Sequence, residues 1–175
     1  MKSTNECMEP CAKKSGSLSF TRVELLQIFS SLAEKKASVR VRAVGFSMSP
    51  FIKDGDIITI APLSGAATKP GMIVAFACEE REGLVVHRII SRCNGRRITK
   101  GDNSISADPA IDDNNILGFV KKIERKGKNV FLGLGVSGLF IAMLSRAGAL
   151  ILLYKAKVIL SRIVNIGHVR PLSKP

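Results

Sequence analysis

Tryptophan is absent from this chain and tyrosine occurs once, so it lacks the aromatic platforms on which single-stranded nucleic acids stack. No zinc-finger spacing accompanies its lysines and arginines, and a basic pI alone does not make a nucleic-acid binder. Nucleic acid is therefore not expected as a partner. Cysteine is scarce too. Cys7, Cys11, Cys78 and Cys93 form no CxxC pair and stand at no metal-ligand spacing with either histidine, and nothing in the sequence implies a metal or other cofactor. A hairpin turning near residues 79–83 would pair Cys78 near Leu84 and leave Cys93 far away. Reduced thiols are thus expected rather than a Cys78–Cys93 disulfide. Low-complexity tracts are missing as well; with 46% hydrophobic and 23% charged residues, global disorder is not expected. The opening MKSTNECMEPCAKKSGS has no apolar run, so neither a secretory signal peptide nor an N-terminal anchor is expected there.

Acidic residues nearly vanish in the last third. Residues 1–120 carry 16 Lys and Arg against 13 Asp and Glu, whereas residues 121–175 carry 11 against the single Glu124. The same third holds FLGLGVSGLFIAMLSRAGALILLY, residues 131–154. Basic charge beside apolar surface suits a membrane, where anionic lipid attracts the charge and the interface accepts the apolar side chains. The 24 residues of 131–154 are long enough to span a bilayer. On the insertion scale, twelve Leu, Ile, Phe and Val contribute about −4 to −7 kcal/mol and Arg146 costs about +3. Four glycines weaken a helix further, so two readings stand: one span, or two short helices broken near Ser145-Arg146 that lie on a membrane or on the domain.

What is present elsewhere is β-structure. VRVRAV (39–44) alternates apolar and basic residues, and IITIA, MIVAFA (72–77), LVVHRII (84–90), a short arm around Arg97-Ile98-Thr99, and ILGFVKKI (116–123) follow. Gly, Pro, Asn and Asp punctuate the gaps. Short strands without long helices between them predict a mainly β fold, a coiled antiparallel sheet. Thr21-Arg-Val-Glu24 reads as a capping box, followed by Leu25, Phe29 and Leu32 at helical spacing, which predicts a short amphipathic helix over 22–36. The expected organisation is a polar tail and helix (1–37), a β domain (38–125) and a basic, apolar, helical C-terminal segment that associates with membrane (126–175).

One short stretch, GFSMSPFIKDGD (45–56), has the composition of a constrained loop. Pro50 pushes Ser49 toward extended backbone, and Asp54-Gly55 is a turn signal. Ser47 is thereby presented rather than buried. His87 sits mid-strand on the face of Val85 and Ile89, and KGDNSISADPA brings Asp102 and Asp108 onto a loop after the next strand. A hydroxyl on a loop, an imidazole on a strand and a carboxylate on a loop are the parts of a nucleophile, a base and an orienting group. Asp102 follows Gly101 in a tight turn where an aspartate commonly bonds its own backbone, while Asp108 precedes Pro109, whose effect on the backbone can aim it back toward the sheet. His168, in the basic tail, reads as a surface residue.

The boxes G-x-S-M-x-P-x-x-x-x-G-D, G-x-I-V-x-F, V-V-H-R, T-K-G-D-N, D and L-G, in that order over about residues 38–125, resemble the signal peptidase I superfamily of serine endopeptidases, which includes LexA-type self-cleaving repressors. Most bacterial members carry Lys at the position of His87; the histidine is similar to the endoplasmic-reticulum, archaeal and sporulation branch. The resemblance implies Ser47 as nucleophile, His87 as general base, Asp108 as orienting carboxylate and Asp102 as a structural or auxiliary one. It also implies the Ser47 main-chain N–H as an oxyanion donor; Gly45 stands where some members carry a serine whose hydroxyl adds a second. The implied substrates are extended peptides or preproteins with small residues one and three positions before the scissile bond. Strand addition beside residues 39–45 and 84–87 would hold them. A self-cleaving regulator and a non-catalytic peptide- or membrane-binding relic are the alternatives.

Overall fold

The computed structural model describes residues 20–63, 68–77, 83–149 and 156. Helix α1 (Arg22–Glu34) starts where the capping box places it. The Thr21 hydroxyl accepts from the Glu24 N–H, and the Glu24 carboxylate accepts from the Thr21 N–H at 2.8 Å. Its buried residues are Leu25 and Phe29, at the expected i, i+4 spacing. The helix ends at Glu34, two residues before the expected Lys36, which takes positive φ at the turn into the sheet.

Among the described residues seven strands follow: β1 (Val39–Arg42), β2 (Ile57–Ala61), β3 (Ile73–Ala77), β4 (Leu84–Cys93), β5 (Arg96–Lys100), β6 (Ile116–Arg125) and β7 (Lys128–Val130). All pairings are antiparallel, in the order β1-β2-β6-β3-β4-β5 with β7 added to β6. The mainly β architecture read from the sequence is the one observed. β7 was not anticipated, since its three residues after the Lys126-Gly127 turn are too few to show a period. Two apolar clusters pack on the sheet. One joins α1 to Met48, Ile52, Ile58, Ile60, Ile73 and Leu117; the other joins Val74, Phe76, Ile89 and Ile116.

The apolar stretch after residue 130 yields α2 (Val136–Arg146), which packs on β4. Its Cα trace comes so close to the turn before β3 that a Cβ on Gly71 would meet the Leu139 nitrogen at 2.6 Å, and one on Gly138 would meet the Gly71 carbonyl at 2.6 Å. Val136, Leu139, Phe140 and Met143 face outward. Among the described residues no helix is long and apolar enough to cross a membrane. The helix stops at Arg146, near the expected break, and Gly148 takes positive φ beyond it. Residues 150–154 of that stretch, residues 1–19, His168, Cys7, Cys11 and Cys78 lie outside the described residues; Cys93 is exposed and free.

Candidate active site

Ser47 sits on a loop that is tied down at every turn. Gly45 takes φ +92°, and its N–H donates to Asp54 Oδ1 at 2.8 Å. The Asp54-Gly55-Asp56 turn returns to residue 43, with Gly55 N–H donating to the Ala43 carbonyl and Ala43 N–H to the Asp56 carbonyl. Beyond Ser47 the chain makes a tight coil: Ser49 N–H bonds the Phe46 carbonyl, and Phe51 and Ile52 N–H bond the Met48 carbonyl. Met48 and Ile52 are buried beneath while Ser47 stays exposed. From β6, Arg125 donates to both Asp56 oxygens (2.9 and 2.7 Å) and to the Phe51 carbonyl (2.9 Å). Burial would raise the Asp56 carboxyl, but hydrogen bonds from Arg125 and the Lys53 N–H outweigh it and hold the group below the usual carboxylate range.

The 45–56 loop brings Ser47 to His87. His87 is 4% exposed, with Nε2 3.1 Å from Ser47 Oγ and Nδ1 2.6 Å from Asp108 Oδ2. Three separate segments thus meet through one ring. Asp108 is placed by a clip along β5: its N–H bonds the Thr99 carbonyl at 2.8 Å, and Arg97 and Ile111 exchange both main-chain bonds. Arg97 also pairs with Asp113. The hydroxyl of Thr99, fully buried, donates to the same Asp108 Oδ2 at 2.8 Å. Gly101 closes the site from the side. A Cβ there would meet the Ser47 carbonyl at 2.7 Å and His87 Nε2 at 3.1 Å, so no side chain fits.

Asp102 does not join this group. Its two oxygens accept from Arg88 Nε (2.8 Å) and Nη2 (2.7 Å), and both side chains are fully buried. The backbone-bonded turn expected for Asp102 is replaced by a buried ion pair with the residue next to His87. Burial pushes the Asp102 carboxyl up, and the Arg88 guanidinium works against that rise. Arg88 Nη1 donates further to the Gly71 and Gly133 carbonyls (2.8 and 2.7 Å), and its guanidinium lies over the Phe51 ring. Lys100, opposite Arg88 across β4–β5, donates to the Ser145 carbonyl at 3.0 Å. Sequence reasoning missed Thr99 and Arg88. The signal for Arg88 was parity: a residue beside His87 on a two-face-buried strand must enter the opposite face, and a buried guanidinium needs a carboxylate.

Ser47 and His87 open onto a cavity of about 520 Å³. Its walls are apolar apart from Ser47, His87 and Arg42; β1, the start of β4 and α1 all contribute, α1 through Leu25, Ile28 and Phe29, with Phe20 just ahead of its cap. The outer edge of β1, and that of β4 over residues 84–87, carry no strand partner among the described residues. Among the described residues no three His, Cys, Asp or Glu side chains gather in a way that could hold a metal ion.

No family model matches the chain. Over 86 residues, 46% of its length, it is 31% identical to the signal peptidase complex catalytic subunit sec11 of Pyrenophora teres f. teres (strain 0-1), of which it spans about half (49%). That likeness, covering about half of each chain, supports a place in the signal peptidase I-like superfamily.

Proposed function

We propose that this chain is a serine endopeptidase of signal-peptidase type that removes leader or signal segments from exported proteins or peptides. The observation that carries the reading is the continuous contact from Ser47 Oγ through His87 to Asp108, at 3.1 and 2.6 Å, at the mouth of an apolar cavity. An Asp108 carboxylate accepting the Nδ1 proton leaves the Nε2 lone pair facing Ser47. Nε2 takes the Ser47 proton as Oγ attacks the scissile carbonyl, and the imidazolium then protonates the leaving amine. Water repeats the sequence on the acyl-serine. The Ser47 main-chain N–H is the oxyanion donor we assign. Gly45 is not a second one, because its N–H is already given to Asp54.

The substrate is an extended peptide. Two strand edges without a partner among the described residues line the cavity, and each offers main-chain groups to an added strand. Residues 38–125 form the catalytic unit in this reading. Residues 126–175, with their basic excess and the outward apolar stripe of α2, associate the protein with anionic membrane. The name of the fungal relative, a catalytic subunit of a signal peptidase complex, favours the same substrate class.

Replacement of Ser47 by Ala tests the core of it. The side chain is exposed, so the fold should change in stability by less than about 0.5 kcal/mol. Cleavage of a preprotein-derived peptide should disappear, while the wild type cleaves it in trans. Retained cleavage by the variant, or wild-type cleavage of its own chain alone, would overturn the proposal.

A further inference from the structure

We propose that Thr99 is a positioning residue of the Ser47–His87–Asp108 group, acting through its hydroxyl on Asp108; the inference rests on the peptidase reading. Thr99 is fully buried on β5 and holds Asp108 at two points. Its carbonyl accepts from the Asp108 N–H at 2.8 Å, and its hydroxyl donates to Asp108 Oδ2 at 2.8 Å. The second bond is the informative one, because Oδ2 is also the atom 2.6 Å from His87 Nδ1.

A carboxylate oxygen has two lone pairs in its plane, and here both are committed, one to a hydroxyl proton and one to the imidazole. Two consequences follow. The Asp108 side chain cannot rotate about its last torsion without losing the hydroxyl bond, so the acceptor stays aimed at Nδ1. A hydroxyl proton already on Oδ2 also opposes placing another proton there. The ring proton therefore stays on Nδ1, and Nε2 stays open toward Ser47. The buried hydroxyl satisfies itself by the same bond. Its effect should be largest when the ring is an imidazolium, because that is when the negative charge on Oδ2 matters most.

The test compares Thr99→Val, which keeps the shape and removes the donor, with Thr99→Ser, which keeps the donor. On a soluble peptide substrate, Thr99→Val should lower kcat roughly tenfold with KM changed by less than about twofold, and Thr99→Ser should restore kcat to within about twofold of wild type. If Thr99→Val does not fold, Thr99→Cys takes its place, since a thiol is a weak donor of similar size. The second readout is the low-field proton resonance of His87 Nδ1–H, assigned against a His168→Gln chain. It should move in Thr99→Val and return in Thr99→Ser. Wild-type kcat in Thr99→Val, equal loss in Thr99→Ser, or an unmoved resonance would each overturn the inference. If the wild type cleaves nothing, the peptidase reading falls, and the resonance still decides the role of Thr99.

Discussion

His87 and Arg88, neighbours on β4, serve opposite faces of the sheet: His87 meets Ser47 and Asp108, and Arg88 clamps Asp102. The alternation of a strand divides the two aspartates of one loop between two jobs.

Asp108→Asn should strike turnover. It leaves the shape intact but takes away the negative charge that the imidazolium needs, and an amide can present its NH₂ to Nδ1 and select the wrong tautomer. Loss of kcat by roughly a thousandfold or more is expected, with KM nearly unchanged. Steady-state kinetics on a peptide substrate check it; equal effects on kcat and on stability would show that Asp108 is a structural residue.

Asp102→Asn should strike the fold. Both partners are fully buried, and the substitution leaves an uncompensated guanidinium among carbonyls and the Phe51 ring. A loss of about 3 kcal/mol or more in urea unfolding is expected, well above a surface change. An Asp102→Asn protein as stable as wild type would mean that Arg88 is held well enough by the Gly71 and Gly133 carbonyls alone.

Acid should loosen the Ser47 loop through Asp56. The folded chain holds this carboxyl below its ordinary value, so its contribution is in full force above the unfolded pKa, about 3.9 for an aspartate, and is lost as pH falls through the lower folded value. Wild-type stability should therefore fall more steeply than that of Asp56→Asn as the medium is taken from about pH 5 toward pH 2. Asp102, shifted upward, contributes with the opposite sign in both proteins and cancels in the difference. Parallel stability curves would refute the role given to the Arg125–Asp56 pair.

Ile28 should affect substrate choice. It lines the cavity from α1 yet is 38% exposed, whereas Val23 on the same helix is 62% exposed and lies away from the cavity. Ile28→Asp should raise KM roughly tenfold for peptides with a bulky apolar residue upstream of the scissile bond, as expected for losing burial of one large side chain. Val23→Asp should leave KM unchanged. A peptide series measured on both variants separates a groove wall from a helix that only covers the core.

The parts that could be read from the sequence are those governed by local rules. The Thr21–Glu24 box fixed the start of α1, and alternation with turn residues at every gap marked β1 to β6 to within a few residues. Ser47, His87 and Asp108 were legible as residue types on a loop, a strand and a loop. Pro109 and the resemblance pointed to Asp108 as the partner of His87, but Arg88 as the partner of Asp102 was not legible. That depends on the β4–β5 register, Arg88 opposite Lys100, and on the 108–111 clip along β5, both set by pairing between distant segments. Thr99 was hidden for the same reason, since its partner is chosen by that clip.

Gly71 and Gly138 have a mechanical consequence. Where backbone lies on backbone, with Arg88 bonded to Gly133 before α2 and Lys100 bonded to Ser145 near its end, the helix can neither slide along its axis nor roll about it without breaking a buried polar contact. It is a fixed mount rather than a hinged arm. Any surface that meets the outward stripe of Val136, Phe140 and Met143 also sets the tilt and height of the strand that carries His87. The attitude of the Ser47–His87 cleft to that surface is thereby built into the fold.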